Sequence, residues 1–333
     1  MSLSPITVIG AGAWGTALAI LMANNGQAVR LWDRDAERVK QLQTARENQR
    51  YLPGVKFPNA LTIYADMATA CENVNDIMIV VPSHAFTEVL TGLKPFMHSA
   101  SRLVWATKGV DPNTHKLLHI IAEAILGKPI PLAVIAGPNF AKEIAMGLPA
   151  AIALAHTNDD FASDLTARLH NSQFRVYTTH DMIGVQICGA VKNILAIAVG
   201  INDGLKMGAN ARCALITRGL AEMTRLGMAM GGKRETFMGL AGVGDLVLTA
   251  TDDQSRNRRF GLALGQGKDI ELAKQEIGLV EGASNVTQVS LLAKQFHVEM
   301  PITEQIQRII YQDISPRDAM QALLTRELKA ENL

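Results

Sequence analysis

The stretch ITVIGAGAWGTALAILMAN, at positions 6–24, decides the fold. Its first four residues have the length and apolar character of a buried strand, and the residues after the glycines have the composition of a helix. Between them Gly10, Gly12 and Gly15 form the pattern GxGxxG. After a strand, such glycines permit a tight turn, close approach of the backbone to a pyrophosphate, and close packing of helix on strand. The stretch therefore predicts a dinucleotide-binding turn at 10–15, which includes Ala13.

Outward from this turn, short apolar runs alternate with amphipathic stretches. We predict eight strands, at 6–9, 28–32, 62–64, 77–81, 103–106, 132–135, 151–155 and 174–177, with helices at 16–24, 36–46, 84–93 and 114–124. Alternating strands and helices predict an α/β fold with a mostly parallel sheet covered on both faces. After position 181 helical patterns prevail, at 186–200, 211–226, 262–276, 284–295 and 303–312. We therefore predict an N-terminal Rossmann-type domain at 1–185 and a C-terminal all-α domain at 186–333.

The composition is that of an ordinary soluble protein. The chain has 333 residues, of which 48% are hydrophobic and 19% charged, and its formal net charge is +1. This balance provides no basic field for nucleic acid. Cys71, Cys188 and Cys213 form no CxxC pair, which favours a reducing compartment. With no signal peptide pattern and no uncharged apolar run long enough for a bilayer, we expect a cytoplasmic protein without stable membrane insertion or a metal site.

Two strand ends carry polar residues suited to a bound cofactor or substrate. The second predicted strand ends at Asp33 and Arg34. An acidic residue there usually receives the ribose hydroxyls of NAD, and an arginine accommodates the 2′-phosphate of NADP. Both cofactors stay open, with a preference for NADPH acceptance, and a solvated turn is the alternative. Lys108 follows the strand at 103–106 directly, where packing explains a lysine poorly, so we expect it to contact substrate or cofactor.

The predicted helix at 186–200 is apolar round most of its circumference, so we expect it to be buried. Lys192 and Asn193 lie on its remaining stripe among small residues. A buried lysine is costly unless it is paired or functional. As a general acid, Lys192 would protonate the oxygen of a ketone that is reduced by hydride transfer. The alternative is a structural pair with a carboxylate of the core.

The helical half also contains a glycine cluster and a basic cluster. GLAGVG at 239–244 follows no strand, so we interpret it as a loop with close backbone approach rather than a second dinucleotide turn. Asp245 comes directly after it and could bind a substrate hydroxyl. Ser255, Arg256 and Asn257 open the run SRNRR, whose guanidinium, hydroxyl and amide groups match the donors that phosphate requires. An exposed basic face is the alternative.

Taken together, these motifs resemble the bacterial glycerol-3-phosphate dehydrogenases. The resemblance runs nearly end to end and rests on GAGAWGTA at 10–17, WATKG at 105–109, GPNFA at 137–141, GAVKNILAIAVG at 189–200, NARCALITRGLAEM at 210–223, GVGD at 242–245 and SRNRRF at 255–260. It implies reversible interconversion of dihydroxyacetone phosphate and sn-glycerol 3-phosphate with NAD(P)H, which feeds phospholipid synthesis. We also expect a homodimer, because the chain combines long helices with a two-domain design.

The resemblance assigns residue roles position by position. Lys192 matches the proton donor and acceptor. The matches to substrate contacts are Lys108, Gly137, Asn139, Lys192, Asp245, Ser255, Arg256 and Asn257. The matches to cofactor contacts, beyond the glycine turn, are Trp14, Arg34, Lys108, Ala141, Arg256, Leu279 and Glu281. One departure is Asn139, which stands where the family commonly has Ser or Thr.

Two other functions compete with this interpretation. A β-hydroxyacid dehydrogenase-like enzyme would share the two-domain layout but would recognise a carboxylate, so it would not need the basic cluster. A non-catalytic NAD(P) sensor would keep the glycine turn but would not need Lys192 or Asp245.

Overall fold

The computed structural model describes residues 4–127 and 129–327. The described chain forms two compact units, Met1–Thr107 with Leu118–Met182, and Lys108–Leu117 with Ile183–Leu333. This division lies close to the predicted boundary at 185/186, but it groups the short segment Lys108–Leu117 with the second unit.

The first unit is a Rossmann-type α/β fold, as predicted. Its strands are β1 (Ile6–Ile9), β2 (Val29–Trp32), β3 (Leu61–Tyr64), β4 (Asp76–Ile79), β5 (Arg102–Trp105), β6 (Leu132–Ala136), β7 (Ala150–His156) and β8 (Phe174–Thr179). They form one sheet in the order β3-β2-β1-β4-β5-β6-β7-β8. Every neighbouring pair is parallel except β6 and β7. The prediction of eight strands in a mostly parallel sheet is therefore confirmed.

Helices cover this sheet in the first unit. They are α1 (Ala13–Asn24), α2 (Ala36–Ala45), α3 (Met67–Cys71), α4 (Ser83–Leu93), α5 (Leu118–Leu126), α6 (Ala141–Ala145) and α7 (Asp159–Leu169). The helix predicted at 114–124 begins only at Leu118. The reason is local: the Asp111 carboxylate accepts from the Asn113 and Thr114 amides, and His115 has a left-handed φ of 57°.

A buried ion cluster fastens this unit at the start of β4. Asp76 and Arg168 have no exposed surface, and Nη2 of Arg168 lies 2.6 Å from Oδ2 of Asp76. Arg102 donates from Nε to Oδ1 of the same carboxylate at 2.6 Å. Because both carboxylate oxygens are engaged, the desolvated charge of Asp76 is compensated.

The second unit is helical, also as predicted. Its helices are α8 (Met182–Gly204), α9 (Ala209–Ala229), α10 (Arg234–Phe237), α11 (Asp245–Thr251), α12 (Arg256–Gly265), α13 (Ile270–Ile277), α14 (Glu281–Gln295), α15 (Pro301–Tyr311) and α16 (Pro316–Leu324). The single helix predicted at 262–276 is wrong. Gly267 has a φ of 87°, and the Asp269 carboxylate caps the next helix by accepting from the Glu271 and Leu272 amides, so two helices form.

Helix α8 is the core of the second unit. Within the described residues it is the one helix long and apolar enough to cross a membrane, and 94% of its most apolar window is buried inside the protein, as in the core helix of a soluble fold. It packs against α12 backbone to backbone. A Cβ added at Gly261 would lie 2.0 Å from the Ile197 carbonyl oxygen, and one at Gly200 would lie 2.1 Å from that of Arg258. Glycine at both positions therefore sets the distance between these helices.

Candidate functional site

The glycine turn between β1 and α1 has the geometry of a dinucleotide cradle. Gly10 has a φ of 113°, and a Cβ there would lie 2.5 Å from the Val80 carbonyl oxygen. A Cβ at Gly15 would lie 2.0 Å from the carbonyl oxygen of Gly10. Gly12 is the N-cap of α1, lacks a side-chain cap, and has open space where a Cβ would stand. The first turn of α1 therefore presents uncapped N–H groups beside an open backbone, which suits a pyrophosphate.

Asp33 and Arg34, the acidic and the basic residue at the end of β2, lie in different environments. Asp33 is buried, and its Oδ2 accepts from the Ala11 amide at 3.3 Å and lies 3.2 Å from Nη1 of Arg38. Oδ1 of Asp33 accepts from the Asp35 amide at 3.1 Å. Arg34 is exposed. The Asp33 carboxylate therefore stabilises the turn through internal contacts. The guanidinium of Arg34 is the group exposed to solvent.

The other predicted residues of the first unit lie after β6. Asn139 donates from Nδ2 to the Ala151 carbonyl oxygen at 2.8 Å, and its Oδ1 is buried without a hydrogen-bond partner among the described residues. Gly137 leaves room for that amide, since a Cβ there would lie 3.1 Å from Nδ2 of Asn139. Ala141 begins α6.

In the second unit, Lys192 and Asp245 form a buried pair. Lys192 is 3% exposed and Asp245 1% exposed, and Nζ of Lys192 donates to Oδ1 of Asp245. Nζ also donates to Oγ1 of Thr249 at 3.1 Å, and that hydroxyl lies 3.3 Å from Oδ1 of Asp245. Thr249 is one helical turn after Asp245 on α11, so both reach the same lysine. Sequence reasoning missed Thr249; its i, i+4 spacing from Asp245 was the available signal.

Two features of this pair distinguish it from a structural ion pair. Oδ2 of Asp245 is buried and has no hydrogen-bond partner in the part of the chain that the structure describes. Burial lowers the pKa of Lys192 to about 8, against the opposing effect of the Asp245 charge and with a further lowering by the charge of Lys108. The arrangement therefore combines an unused carboxylate oxygen with an ammonium group that titrates near neutral pH.

Glycines on α8 and α14 let neighbouring groups lie close to the helix that carries Lys192. The side-chain stem of Lys108 lies over Gly189, where a Cβ would be 3.6 Å from its Cγ. Asn193 is buried and donates from Nδ2 to Oε2 of Glu281 at 3.1 Å. A Cβ at Gly282 would lie 2.6 Å from the Asn193 carbonyl oxygen, so α14 also begins in close contact with α8.

The basic run is divided between internal and exposed side chains. Ser255 is the N-cap of α12, accepting from the Arg258 amide at 3.2 Å, and Oδ1 of Asn257 accepts from the Gly282 amide at 2.8 Å. Arg258 is buried, with Nη1 2.5 Å from Oδ2 of Asp203. Only Arg256 and Arg259 of the three arginines are exposed. Arg258 therefore makes an internal ion pair, and the other two guanidinium groups of the run are the ones displayed to solvent.

The glycine cluster at 239–244 is helical rather than a loop. Leu240–Gly244 is a π-helical turn that runs directly into α11. The expected close approach is present: a Cβ at Gly242 would lie 2.0 Å from the Phe237 carbonyl oxygen. π-Helical turns are rare and often lie at functional sites. Here the turn precedes Asp245 directly. Of the remaining predicted residues, Leu279 is exposed in the segment between α13 and α14.

Comparison with known proteins gives a consistent result. The family described as NAD-dependent glycerol-3-phosphate dehydrogenase matches through its N-terminal part at residues 5–162 and through its C-terminal part at residues 181–321. Glycerol-3-phosphate dehydrogenase [NAD(P)+] of Coxiella burnetii is 54% identical over 328 residues, covering 98% of each chain. The enzyme of the same name from Pseudoalteromonas translucida is 54% identical over 330 residues, again covering 98% of each. A crystal structure of the Coxiella burnetii enzyme superposes with a TM-score of 0.94 at 53% identity, covering 97% of this chain and 99% of that one.

Proposed function

This chain belongs to the NAD-dependent glycerol-3-phosphate dehydrogenase family, and we propose that its reaction centre is built on Lys192 and Asp245. It interconverts dihydroxyacetone phosphate and sn-glycerol 3-phosphate with NAD or NADP. The observation that carries the proposal is the buried Lys192–Asp245 pair with its unpartnered carboxylate oxygen. A sensor without chemistry has no need for such a pair.

Lys192 is the proposed proton donor and acceptor. Bound NAD(P)H supplies the hydride that reduces the ketone carbon. Negative charge then develops on the ketone oxygen, and the Lys192 ammonium stabilises it and donates a proton to give the alcohol. In the reverse direction neutral Lys192 takes the proton back. A pKa of about 8 suits both directions, because a general acid or base works best when its pKa is near the operating pH.

The polar groups around Lys192 are the proposed substrate contacts. Oδ2 of Asp245 can accept a hydrogen bond from a hydroxyl group of the substrate. That hydrogen bond would satisfy a buried oxygen whose lack of a partner otherwise costs free energy. Asn193 is held by Glu281 and thereby keeps α14 against α8. By their match to the family's substrate contacts, Lys108, Gly137 and Asn139 are added to the proposed substrate set, and Lys108 also matches a cofactor contact.

Phosphate binding is assigned to the start of α12. The exposed Arg256 guanidinium provides the fork that matches phosphate oxygens, and Ser255 and Asn257 are fixed beside it by their own backbone contacts. The positive end of the α12 helix dipole also favours a bound phosphate there. A carboxylate-recognising β-hydroxyacid dehydrogenase would not need this group, and membership of the family removes that alternative.

The cofactor fits the residues present. Gly10, Gly12 and Gly15 shape an open cradle, and Ala13 and Trp14 begin α1 there. We assign the remaining cofactor contacts to the positions that match the family, Arg34, Lys108, Ala141, Arg256, Leu279 and Glu281. Because Asp33 is engaged inside the turn while Arg34 is exposed, the end of β2 favours acceptance of the 2′-phosphate of NADPH.

The wider assignments are also proposals. Domains at 1–185 and 186–333 are supported by a division of the contacts close to that boundary. A cytoplasmic location is supported by the three cysteines Cys71, Cys188 and Cys213, none of which is joined to another described cysteine by a disulfide bond. We further propose that the enzyme is a homodimer and that its glycerol 3-phosphate supplies phospholipid synthesis.

Neighbouring arginines of α12 test the phosphate assignment. Arg256→Ala removes a charged donor, so we expect the KM for dihydroxyacetone phosphate to rise about 10- to 100-fold, the loss of a charge-assisted hydrogen bond. Arg259→Ala is the matched control, because it removes the same charge from an exposed neighbour. Initial rates of NADPH oxidation measure both. Equal KM values for the two variants would remove Arg256 from the phosphate site.

A further inference from the structure

A second group of chemistry-bearing side chains, His156, Asp159 and His180, lies in the first unit. His156 ends β7, His180 follows the end of β8, and Asp159 begins α7. β7 and β8 run parallel to each other, and β7 runs antiparallel to β6. These residues therefore lie at the end of the sheet where β1–β6 begin, opposite the carboxyl ends of those strands. The cluster is therefore remote from the glycine turn, which follows β1.

The three side chains converge on a small volume. Nδ1 of His156 lies 3.7 Å from Oδ1 of Asp159, and Nε2 of His180 lies 3.5 Å from the same oxygen. One ligand atom from each residue lies within 4.8 Å of the others. Ligands at 2.0–2.2 Å from a tetrahedral zinc ion are roughly 3.4 Å apart. Small side-chain rotations therefore suffice to place all three atoms round one ion.

An independent observation at His156 indicates an absent partner. The residue is 4% exposed, and its Nδ1 is a buried atom without a hydrogen-bond partner among residues 4–127 and 129–327. Leaving a buried polar nitrogen unsatisfied is costly, and the nitrogen faces Asp159 and the His180 ring, whose centroid is 4.5 Å from its own. Asp159 and His180 are exposed, which leaves a path for an ion from solvent.

We propose that His156, Asp159 and His180 bind one divalent transition-metal ion of the zinc class. Two imidazoles and one carboxylate suit Zn²⁺, and an all-oxygen set would instead suit Mg²⁺ or Ca²⁺. Three protein ligands leave a fourth position for water. The sequence analysis expected no metal site, because His180 lies far along the chain from His156 and Asp159, without a recognisable ligand spacing. Only the pairing of β7 with β8 brings the three residues together.

Zinc titration of the full-length chain tests the site. The protein is prepared without a histidine tag, and Zn²⁺ is titrated calorimetrically in a non-chelating buffer at neutral pH. We expect one Zn²⁺ per chain. His180→Ala and Asp159→Asn, both at exposed positions, should each weaken binding about tenfold or more, since even outer partners of a metal site contribute 10- to 100-fold.

Matched controls are available in α7 and directly after it. His170→Ala and Asp160→Asn remove the same side-chain types at exposed positions outside the cluster, and both should bind Zn²⁺ as the parent does. The proposal is overturned if the parent chain takes up no Zn²⁺ at millimolar concentration, if the two site variants retain the parent affinity, or if the controls lose affinity to the same extent.

Discussion

Replacing Asp245 by Asn should shift the pH dependence of catalysis in a direction set by the buried pair. Burial lowers the pKa of Lys192, and the negative charge of Asp245 is the main effect that raises it again. With the carboxylate present this pKa is about 8. A hydrogen bond to a charged group contributes about 1.5–3 kcal/mol, which is about one to two pKa units at 1.36 kcal/mol each. Asp245→Asn should therefore lower the pKa of Lys192 to roughly 6–7.

The consequence differs between the two reaction directions. Reduction of dihydroxyacetone phosphate needs protonated Lys192, so kcat/KM should fall as pH rises through about 8 in the parent and through roughly 6–7 in the variant. At pH 7.5 about three quarters of the parent and about a tenth of the variant would be protonated, taking 6.5 for the variant, which is roughly an eightfold loss from ionisation alone. Oxidation of glycerol 3-phosphate needs neutral Lys192, so its kcat/KM should rise with pH, and the midpoint of that rise should move down by the same amount in the variant.

Initial rates of NADPH oxidation and NADP⁺ reduction between pH 5.5 and 9.5 measure both profiles. Thr249→Val is the matched control, because it removes a neutral partner of Lys192 and should move the midpoint much less. Loss of the Asp245 substrate contact lowers the rate at every pH, so the position of the midpoint is the diagnostic. A midpoint unchanged by Asp245→Asn, or shifted upward, would refute the assignment of Lys192 as the titrating group.

Two further predictions concern the cofactor and the stability of the helical unit. Arg34→Ala should raise the KM for NADPH about tenfold while leaving that for NADH nearly unchanged, because only NADPH carries the 2′-phosphate; equal effects on both cofactors would contradict the role of Arg34. Burial raises the pKa of Glu222 to about 7 although its carboxylate accepts from the Ile302 and Thr303 amides at the start of α15. Because the folded state favours protonated Glu222, the free energy of unfolding of the wild type should fall by up to about 3 kcal/mol relative to that of Glu222→Gln as the pH rises from 4.5 to 7. A difference in free energy of unfolding between the two proteins that stays constant across this window, measured by urea unfolding, would count against this prediction.

The fold could be predicted because its signals are local. Each strand is a short apolar run after a turn, so all eight were found. Two errors arose where one residue overrides a helical pattern, at His115 and Gly267, whose positive φ values cannot be seen in hydrophobic periodicity. The two short helices α3 and α6 carry too few turns to show a period.

The site was predictable by residue type but not by pairing. Composition alone indicated that Lys192 is buried, because the rest of its helix is apolar. Its pairing with Asp245 joins residues far apart in sequence, so the choice between a catalytic and a structural lysine required the three-dimensional arrangement and its unpartnered oxygen. The internal role of Arg258 likewise depends on Asp203, at the end of α8, which no spacing rule connects to the basic run.

The most direct test of the account is dihydroxyacetone phosphate-dependent oxidation of NADPH by the parent chain and by Lys192→Gln, with substrate affinity measured in parallel. The account predicts rapid oxidation by the parent and a fall in kcat of about 10²–10⁴-fold in the variant, with a much smaller change in substrate affinity. Near-normal turnover by Lys192→Gln would contradict the proposed proton transfer.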